Sequence, residues 1–248
     1  MKKISIIIII LLSLFSFKRV IYKRHKTYIY DAFYIKANGD TLTKEIIILK
    51  PKGRPWLFQF SQTAYKINYF PQTDSLFDWI NPMNKLQEFR EKFKLKKEKK
   101  GEIWNDLWSK KNSSGAVENE NEVWSHPFRS NQYNITEIAP FPEIYKDKLH
   151  QDSTWESSLT LGWDNWKGTI NYKYTTLGRK DYIYKAVNLD SCWEINASGK
   201  HSNPNLGTNW NRYLYHPEFG FVLLNYTFYN GVKIVFKLKE VIDRRNKI

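Results

Sequence analysis

Phe219-Gly-Phe-Val-Leu-Leu-Asn-Tyr-Thr-Phe-Tyr229, Asn230-Gly231 and Val232-Lys-Ile-Val-Phe-Lys-Leu-Lys-Glu-Val241 together spell a hairpin. Asn-Gly can supply the two positive φ angles of a tight type I′ turn. In the second arm Ile234, Phe236 and Leu238 alternate with Lys233, Lys237 and Lys239, giving one dry face and one wet face. The first arm is apolar on both. Phe219, Phe221 and Leu223 share one face; Val222, Leu224, Tyr226 and Phe228 share the other. A strand dry on both faces has to be covered on both sides.

Working upstream, similar runs recur between turn residues. Trp155–Leu161, Gly168–Thr175, Asp181–Val187, Ser191–Ala197 and Gly207–Tyr215 are separated by Trp163–Trp166, Leu177-Gly178, Asn188–Asp190 and Asn203-Pro204-Asn205. With the hairpin this predicts seven strands, a meander of short antiparallel runs. The fold class expected is therefore mainly β: a curved antiparallel sheet or open half-barrel with a helical segment packed on it.

The N-terminal part continues the theme. Tyr28–Lys36 and Thr41–Leu49 flank Ala37-Asn-Gly-Asp40, a second hairpin signal, and Trp56–Phe60 and Tyr65–Phe70 read as aromatic strands. The period then changes. Asn81-Pro82 is a helix start, and Met83, Leu86, Phe89 and Phe93 follow at helical spacing up to Gly101. This apolar-faced segment is the expected cover for the doubly dry strand. Its basic end, Lys94–Lys100, is either a solvated helix face or a contact for an anionic membrane surface. Asn112–Asn121 is polar and without periodicity, and is expected to be a flexible loop.

The expected organisation is a targeting segment with its basic flank at residues 1–26, then one β-rich domain at residues 27–248. Within it, residues 27–111 carry the early strands and helix, 112–121 the loop, and 122–248 the C-terminal meander.

The chain has 248 residues and a formal charge of +14. Residues 1–26 hold seven Lys/Arg and no acid, so about half of that excess sits at the N-terminus. The basic residues are mostly Lys, which suits anionic surfaces better than bidentate reading of bases. Nucleic acid is therefore not the expected partner. Met1-Lys-Lys followed by the apolar run Ile4–Phe17 fits a secretory signal core, shorter than the roughly 20 residues of a spanning helix. Leu14-Phe-Ser16 is a poor cleavage site, and the basic stretch Lys18–Lys26 opposes translocation. Two readings stay open: export to the cell envelope, periplasmic or outer-membrane associated, or anchorage in the inner membrane through residues 4–22.

No catalytic, phosphate-loop, zinc or EF-hand motif is present, and no cofactor is expected. The lone Cys192 cannot form an intramolecular disulfide. Asp74, Asp78, Asp164, Asp181 and Glu194 are carboxylates that a glycosidase could pair, but loops and strand edges carry such residues routinely. The idiosyncratic string is Glu122-Val-Trp-Ser-His-Pro-Phe-Arg129, with Ile138-Ala-Pro-Phe-Pro-Glu-Ile144 beyond it. Arg129 could bind an anion and His126 could titrate near neutrality; a proline-pinned turn with buried rings explains the same letters. Trp155, Trp163, Trp166 and Trp210 are the rings that could stack on sugars or line an acyl-chain pocket. The expected ligand-binding set is thus Trp155, Trp163, Trp166, Trp210, His126 and Arg129.

That string, the Pro-Phe-Pro, and Tyr215-His-Pro-Glu-Phe-Gly-Phe-Val-Leu-Leu-Asn-Tyr226 resemble a group of uncharacterised exported proteins of Bacteroidetes, over residues 122–241. The late strands are similar in style to the LolA/LolB lipoprotein carriers, which implies a sheet wrapped around helices over an apolar cavity. The function expected is a non-catalytic envelope protein that binds a hydrophobic or lipidic ligand, or an envelope component such as a lipoprotein. The alternative is a carbohydrate-binding module or glycan-acting enzyme. Oligomeric state is not legible.

Overall fold

The computed structural model describes residues 21–53, 62–71, 112–129, 131–162 and 166–246. Twelve strands form one sheet in the order β6-β5-β4-β3-β2-β1-β12-β11-β10-β9-β8-β7. They are β1 Lys26–Ile35, β2 Thr41–Gly53, β3 Gln62–Pro71, β4 Asn112–Glu118, β5 Glu122–Ser125, β6 Glu143–Tyr145, β7 Thr154–Leu161, β8 Gly168–Tyr184, β9 Val187–His201, β10 Thr208–His216, β11 Gly220–Thr227 and β12 Lys233–Asp243. Every ladder is antiparallel. Two meanders are joined where β1 pairs with β12, the first strand beside the last.

The sheet is strongly coiled. Laid flat, twelve strands at about 4.8 Å spacing would put the edges roughly 50 Å apart. Instead Ser157 on edge strand β7 donates to the Glu143 carboxylate on edge strand β6 at 3.0 Å. The Tyr145 and Trp155 rings also meet edge to face across the seam, with centroids 6.2 Å apart. No backbone ladder joins β6 to β7 in the sheet order, so the sheet stays open.

The alternation read from the sequence sets the inside. Ile234, Phe236 and Leu238 are wholly buried; on β11 Phe221, Val222, Leu224 and Tyr226 are buried, while Leu223, Asn225 and Thr227 are half-buried, and a register shift between Leu223 and Phe221 sets Phe221 opposite Tyr215. On β1, Tyr28, Tyr30 and Ala32 belong to this main core, while Ile29 packs with Ile46 and Ile48 on the opposite face. The helical segment that the described residues place against the inner face is the 3-10 run Asn131–Ile138, whose Tyr133 ring meets Phe236 at 5.2 Å. The helix expected at Asn81–Gly101, and the strand expected at Trp56–Phe60, lie outside the described residues.

Three expectations change. Both Asn-Gly turns are three-residue loops rather than type I′. Gly231 N–H donates to Phe228 C=O, Phe228 N–H to Val232 C=O, and only the glycine has positive φ, 81°. Lys36–Asp40 repeats the pattern, with Gly39 at φ 94°. This is a type I turn closed by a glycine bulge. The Asn side chain caps each loop, Asn230 accepting from Val232 N–H at 3.2 Å and Asn38 from Asp40 N–H at 3.1 Å. Second, the C-terminal third holds six strands, not seven. The chain runs straight through Leu177-Gly178 with bulges near Thr176 and Lys180, and the reversal comes at Lys185-Ala186 instead of Asn188–Asp190. Third, the loop expected at 112–121 is largely strand β4. Backbone ladders to β3 and β5 recruit it without help from apolar periodicity.

Candidate functional site: the strapped inner face

The inner face of β8–β12 is built by ladder register. Tyr174, Ala197, Asn211, Tyr226 and Ile234 form one row across five strands. Thr176, Ile195, Tyr213, Leu224 and Phe236 form the next. Tyr172, Gly199 and Asn209 start a third. All of these residues are buried, yet nearly half of the face is phenol or amide rather than hydrocarbon.

The segment leaving β5 crosses this face as a strap before it re-emerges as β6. It is held by side chains of the sheet acting on its carbonyls. Asn209 donates to Ile138 C=O at 3.1 Å and Asn211 to Pro140 C=O at 3.1 Å. Tyr174 donates to Phe141 C=O at 3.2 Å, and Tyr213 to Glu143 C=O at 2.5 Å. Prolines 127, 140 and 142 have no N–H, so the strap brings fewer backbone donors into the interior. Gly199 makes the room. A Cβ there would stand 2.9 Å from the Tyr172 ring and 3.2 Å from Pro140 Cδ.

Polarity inside the strap is partly unmatched. Among the described residues Tyr172 Oη, Trp155 Nε1 and His126 Nδ1 are buried with no hydrogen-bond partner, while Tyr226 Oη has the Asn211 amide beside it. Burial, reinforced by Tyr172 and Glu137 nearby, outweighs the downward pull of that amide and keeps the Tyr226 phenol protonated far above its ordinary range. Burial, then Glu137 and Glu143, does the same for Tyr172. Burial raises the Glu143 carboxyl as well, against hydrogen bonds from Tyr145, Ser157 and Tyr174 that lower it. Tyr145, at the seam, is pushed up to about 12 by burial and by Glu143.

The six residues expected to bind ligand do not form one cluster. His126 lies at the start of the strap between Trp124 and Phe141, with ring centroids at 4.9 and 5.0 Å. Arg129 closes the strap on itself by pairing with Glu137 at 2.5 Å. Trp155 lies on the floor beside it, stacked flat on Tyr174 at 5.0 Å. Trp166 is half-buried elsewhere, its carbonyl 3.2 Å from His201 Nε2. Trp210 faces outward at 41% exposure, and Tyr229 is exposed at 43%. Trp163 lies outside the described residues, as do Asp74, Asp78 and Asp164. Glu194 is engaged by Arg212 at 3.0 Å and Lys180 at 3.5 Å, and Asp181 accepts from Ser191 N–H. Cys192 is buried, and burial pushes its thiol up to about 11. Among the described residues no group of three His, Cys, Asp or Glu could hold a metal ion.

What sequence reasoning missed is the polar half of the face: Tyr172, Tyr174, Asn209, Asn211, Tyr213 and Tyr226. The signal was there in β10, where Asn209-x-Asn211-x-Tyr213 alternates with exposed Trp210 and Arg212. Asparagines at the dry positions of a strand announce a partner that offers carbonyls.

No protein-family model and no curated protein matches the chain. It is similar in structure to a Bacteroides fragilis protein described as exported and of YmcC-like fold, with TM-score 0.48 at 8% identity over 89% of this chain and 96% of that one. It is also similar to a Parabacteroides distasonis protein described as a lipoprotein, with TM-score 0.41 at 8% identity over 89% and 96%. A third is the hypothetical lipoprotein YmcC from Escherichia coli, with TM-score 0.35 at 8% identity over 96% and 97%. Two of the three come from Bacteroidetes, the group of the sequence resemblance, and none is described as a LolA- or LolB-type carrier. Likeness this remote says nothing of a shared activity.

Proposed function

We propose that this chain is an exported envelope protein that binds an amphipathic, lipid-like molecule non-catalytically against the inner face of its sheet. Export is read from the apolar run Ile4–Phe17 behind a charged start. Among the described residues no helix is long and apolar enough to cross a membrane. The observation that carries the binding reading is the set of unmatched buried polar atoms, Tyr172 Oη, Trp155 Nε1 and His126 Nδ1, set among apolar rings in a sheet whose β6–β7 seam is open. A ligand with an apolar body and a few hydrogen-bonding groups complements such a face. Its apolar burial would contribute about 25 cal/mol per Å², less the cost of ordering. The strap is the element that moves aside or clasps the ligand, since side chains rather than a ladder hold its central stretch to β8 and β10.

Native mass spectrometry of the chain recovered from its own envelope tests this. A bound mass in the lipid range, lost in Tyr172→Phe, supports the reading. An apo mass with and without added membrane lipid sinks it. A second reading, glycan binding, is favoured by the exposed rings Trp210 and Tyr229. It predicts calorimetric binding of envelope polysaccharide that Trp210→Ala removes.

A further inference from the structure

The two ends of the described chain come together in a cationic cluster. Lys23, Arg24 and Lys26 precede and open β1; Arg244 and Arg245 follow β12. The β1–β12 ladder sets Lys26 opposite Asp243. Arg244 N–H then donates to His25 C=O at 2.8 Å, and the Arg244 guanidinium also binds the Arg24 carbonyl. Arg24, Arg244 and Arg245 are exposed. Lys26 lies over the half-buried Phe219 ring at 5.3 Å, which adds the turn Pro217–Phe219 to the same end.

Five cations gathered by the backbone repel one another. Burial first, and then Lys23, lowers the Lys26 ammonium below its ordinary range. The carboxylates at this end neutralise the group only in part, at Arg245 and Lys26. Asp243 is occupied by Arg245 at 2.7 and 3.1 Å, with His25 at 3.6 Å; Glu218 lies beside Lys26, and Asp190 faces His216. Ile21 and Tyr22, just ahead of the cluster, are anchored in the core. The Glu118 carboxylate accepts from the Ile21 and Tyr22 amides, and Tyr22 Oη accepts from Phe221 N–H at 3.2 Å. The basic end is thus rigidly joined to the sheet, and the apolar run Ile4–Phe17 ends only a few residues ahead of it.

We propose that this end of the sheet, Lys23, Arg24, Lys26, Arg244 and Arg245 with Phe219 at its rim, is a docking surface for the anionic phospholipid headgroups of a membrane. It holds the seam and strap at a fixed distance from the lipid. The surface rests on the export reading but not on a ligand at the inner face, so either can fail alone. Lysine and arginine beside an interface attract anionic lipid at short range and lose that attraction with salt. The continuity with an apolar export segment is what favours lipid over other polyanions.

The test uses the full chain in a Cys192→Ser background, reconstituted in vesicles of phosphatidylcholine alone or with phosphatidylglycerol. A polarity-sensitive fluorophore is placed at Pro217→Cys, on the basic end, or at Asn38→Cys, on the turn at the far end of β1. The two vesicles differ only in headgroup charge, so a difference between them reports headgroup contact. The expected result is protection of the Pro217 probe from iodide in phosphatidylglycerol vesicles alone, reversed by salt, with the Asn38 probe quenched throughout. Arg24→Glu/Arg244→Glu should weaken the phosphatidylglycerol dependence roughly five-fold per residue. The milder Lys23→Gln/Arg24→Gln, checked for its fold by circular dichroism, should move it the same way. Equal quenching in the two vesicles, protection of both probes, or no effect of either double variant overturns the proposal. So does competition by short duplex DNA as strong as that of the lipid.

Discussion

Asn211 reaches across the inner face to the strap, its amide nitrogen 3.1 Å from the carbonyl oxygen of Pro140. Asn209, two residues earlier on the same face of β10, does the same to Ile138. Both asparagines are wholly buried. A single strand thus holds the strap at two successive points, and the carbonyls it serves face inward.

Replacing Asn211 by Ala leaves the Pro140 carbonyl buried without its donor. The expected cost is about 1–3 kcal/mol in urea unfolding. Asn211→Leu, which fills the space, should cost the same or more, because it restores no donor. Hydrogen exchange should quicken selectively over residues 131–145 while β11 and β12 remain protected. Uniform loss of protection would mean that the strap and sheet melt together.

Gly199 should resist even a methyl group. The added Cβ would press on Tyr172 at 2.9 Å and on Pro140 at 3.2 Å. Overpacking of this kind costs about 1–3 kcal/mol. Gly199→Ala/Tyr172→Leu should recover part of the loss, since the nearer contact is the aromatic ring. A neutral Gly199→Ala in thermal denaturation would show that the strap yields easily there.

The sheet was legible where side chains announced it. The Val232–Val241 alternation placed Ile234, Phe236 and Leu238 inside, but β11, dry on both faces in sequence, is fully buried on one: Leu223 stays half-buried, and a register shift next to it turns Phe221 to the side of Tyr213 and Tyr215. Turns were less so. Asn230-Gly231 marked a reversal, but loop geometry depends on whether the Asn also takes positive φ, and here it does not. Gly178 resembled a break and is a bulge position, because the long ladder of β8 and β9 absorbs one glycine. The strand β4, Asn112–Glu118, has no pattern of its own; its neighbours' unsatisfied backbone recruits it. The strap was hidden for a different reason. Its residues read as a proline-rich loop, and loops normally run on the surface. Nothing local to Ile138–Glu143 says that asparagines and tyrosines more than thirty residues away will receive its carbonyls.

Asp31 ties the far tip of the β8–β9 hairpin to β1. Its side chain is 1% exposed, with Lys185 Nζ at 2.5 Å, Tyr184 Oη at 2.7 Å and Lys239 Nζ at 3.6 Å. Asp31 projects from the face opposite Tyr30 and Ala32, so the tip has folded over that outer face, where Tyr182 also donates to Leu238 C=O at 2.7 Å. Asp31→Ala removes a buried carboxylate from beside Lys239, whose side chain is 11% exposed, and should cost about 3–5 kcal/mol. Lys185→Met removes a partner whose side chain is 40% exposed, and should cost about 1 kcal/mol or less. If the two changes cost the same in chemical denaturation, the tip rather than the buried carboxylate is what matters.

His126 gives the strap a pH dependence whose sign can be worked out. Burial between Trp124 and Phe141, and then the Arg129 charge, lower its imidazole to about 4. In the unfolded chain the same ring titrates near 6.5. Above that pH both states hold it neutral, and its contribution is fully present. Between about 6.5 and 4 the unfolded chain takes up a proton that the folded chain refuses, so stability falls with falling pH. Below about 4 both states are protonated and the slope from this group ends. The ring is only part-buried, so solvent screens part of the effect, and about 1–2 kcal/mol is the expected loss. Glu143 runs the other way, because burial raises its carboxyl and favours the protonated folded form as the pH falls. His126→Phe, similar in shape and unable to titrate, separates them. Its stability curve should lose the fall between pH 6.5 and 4 that the parent shows, while keeping the contribution of Glu143. A parent and variant that decline in parallel over that window would place the proton uptake elsewhere.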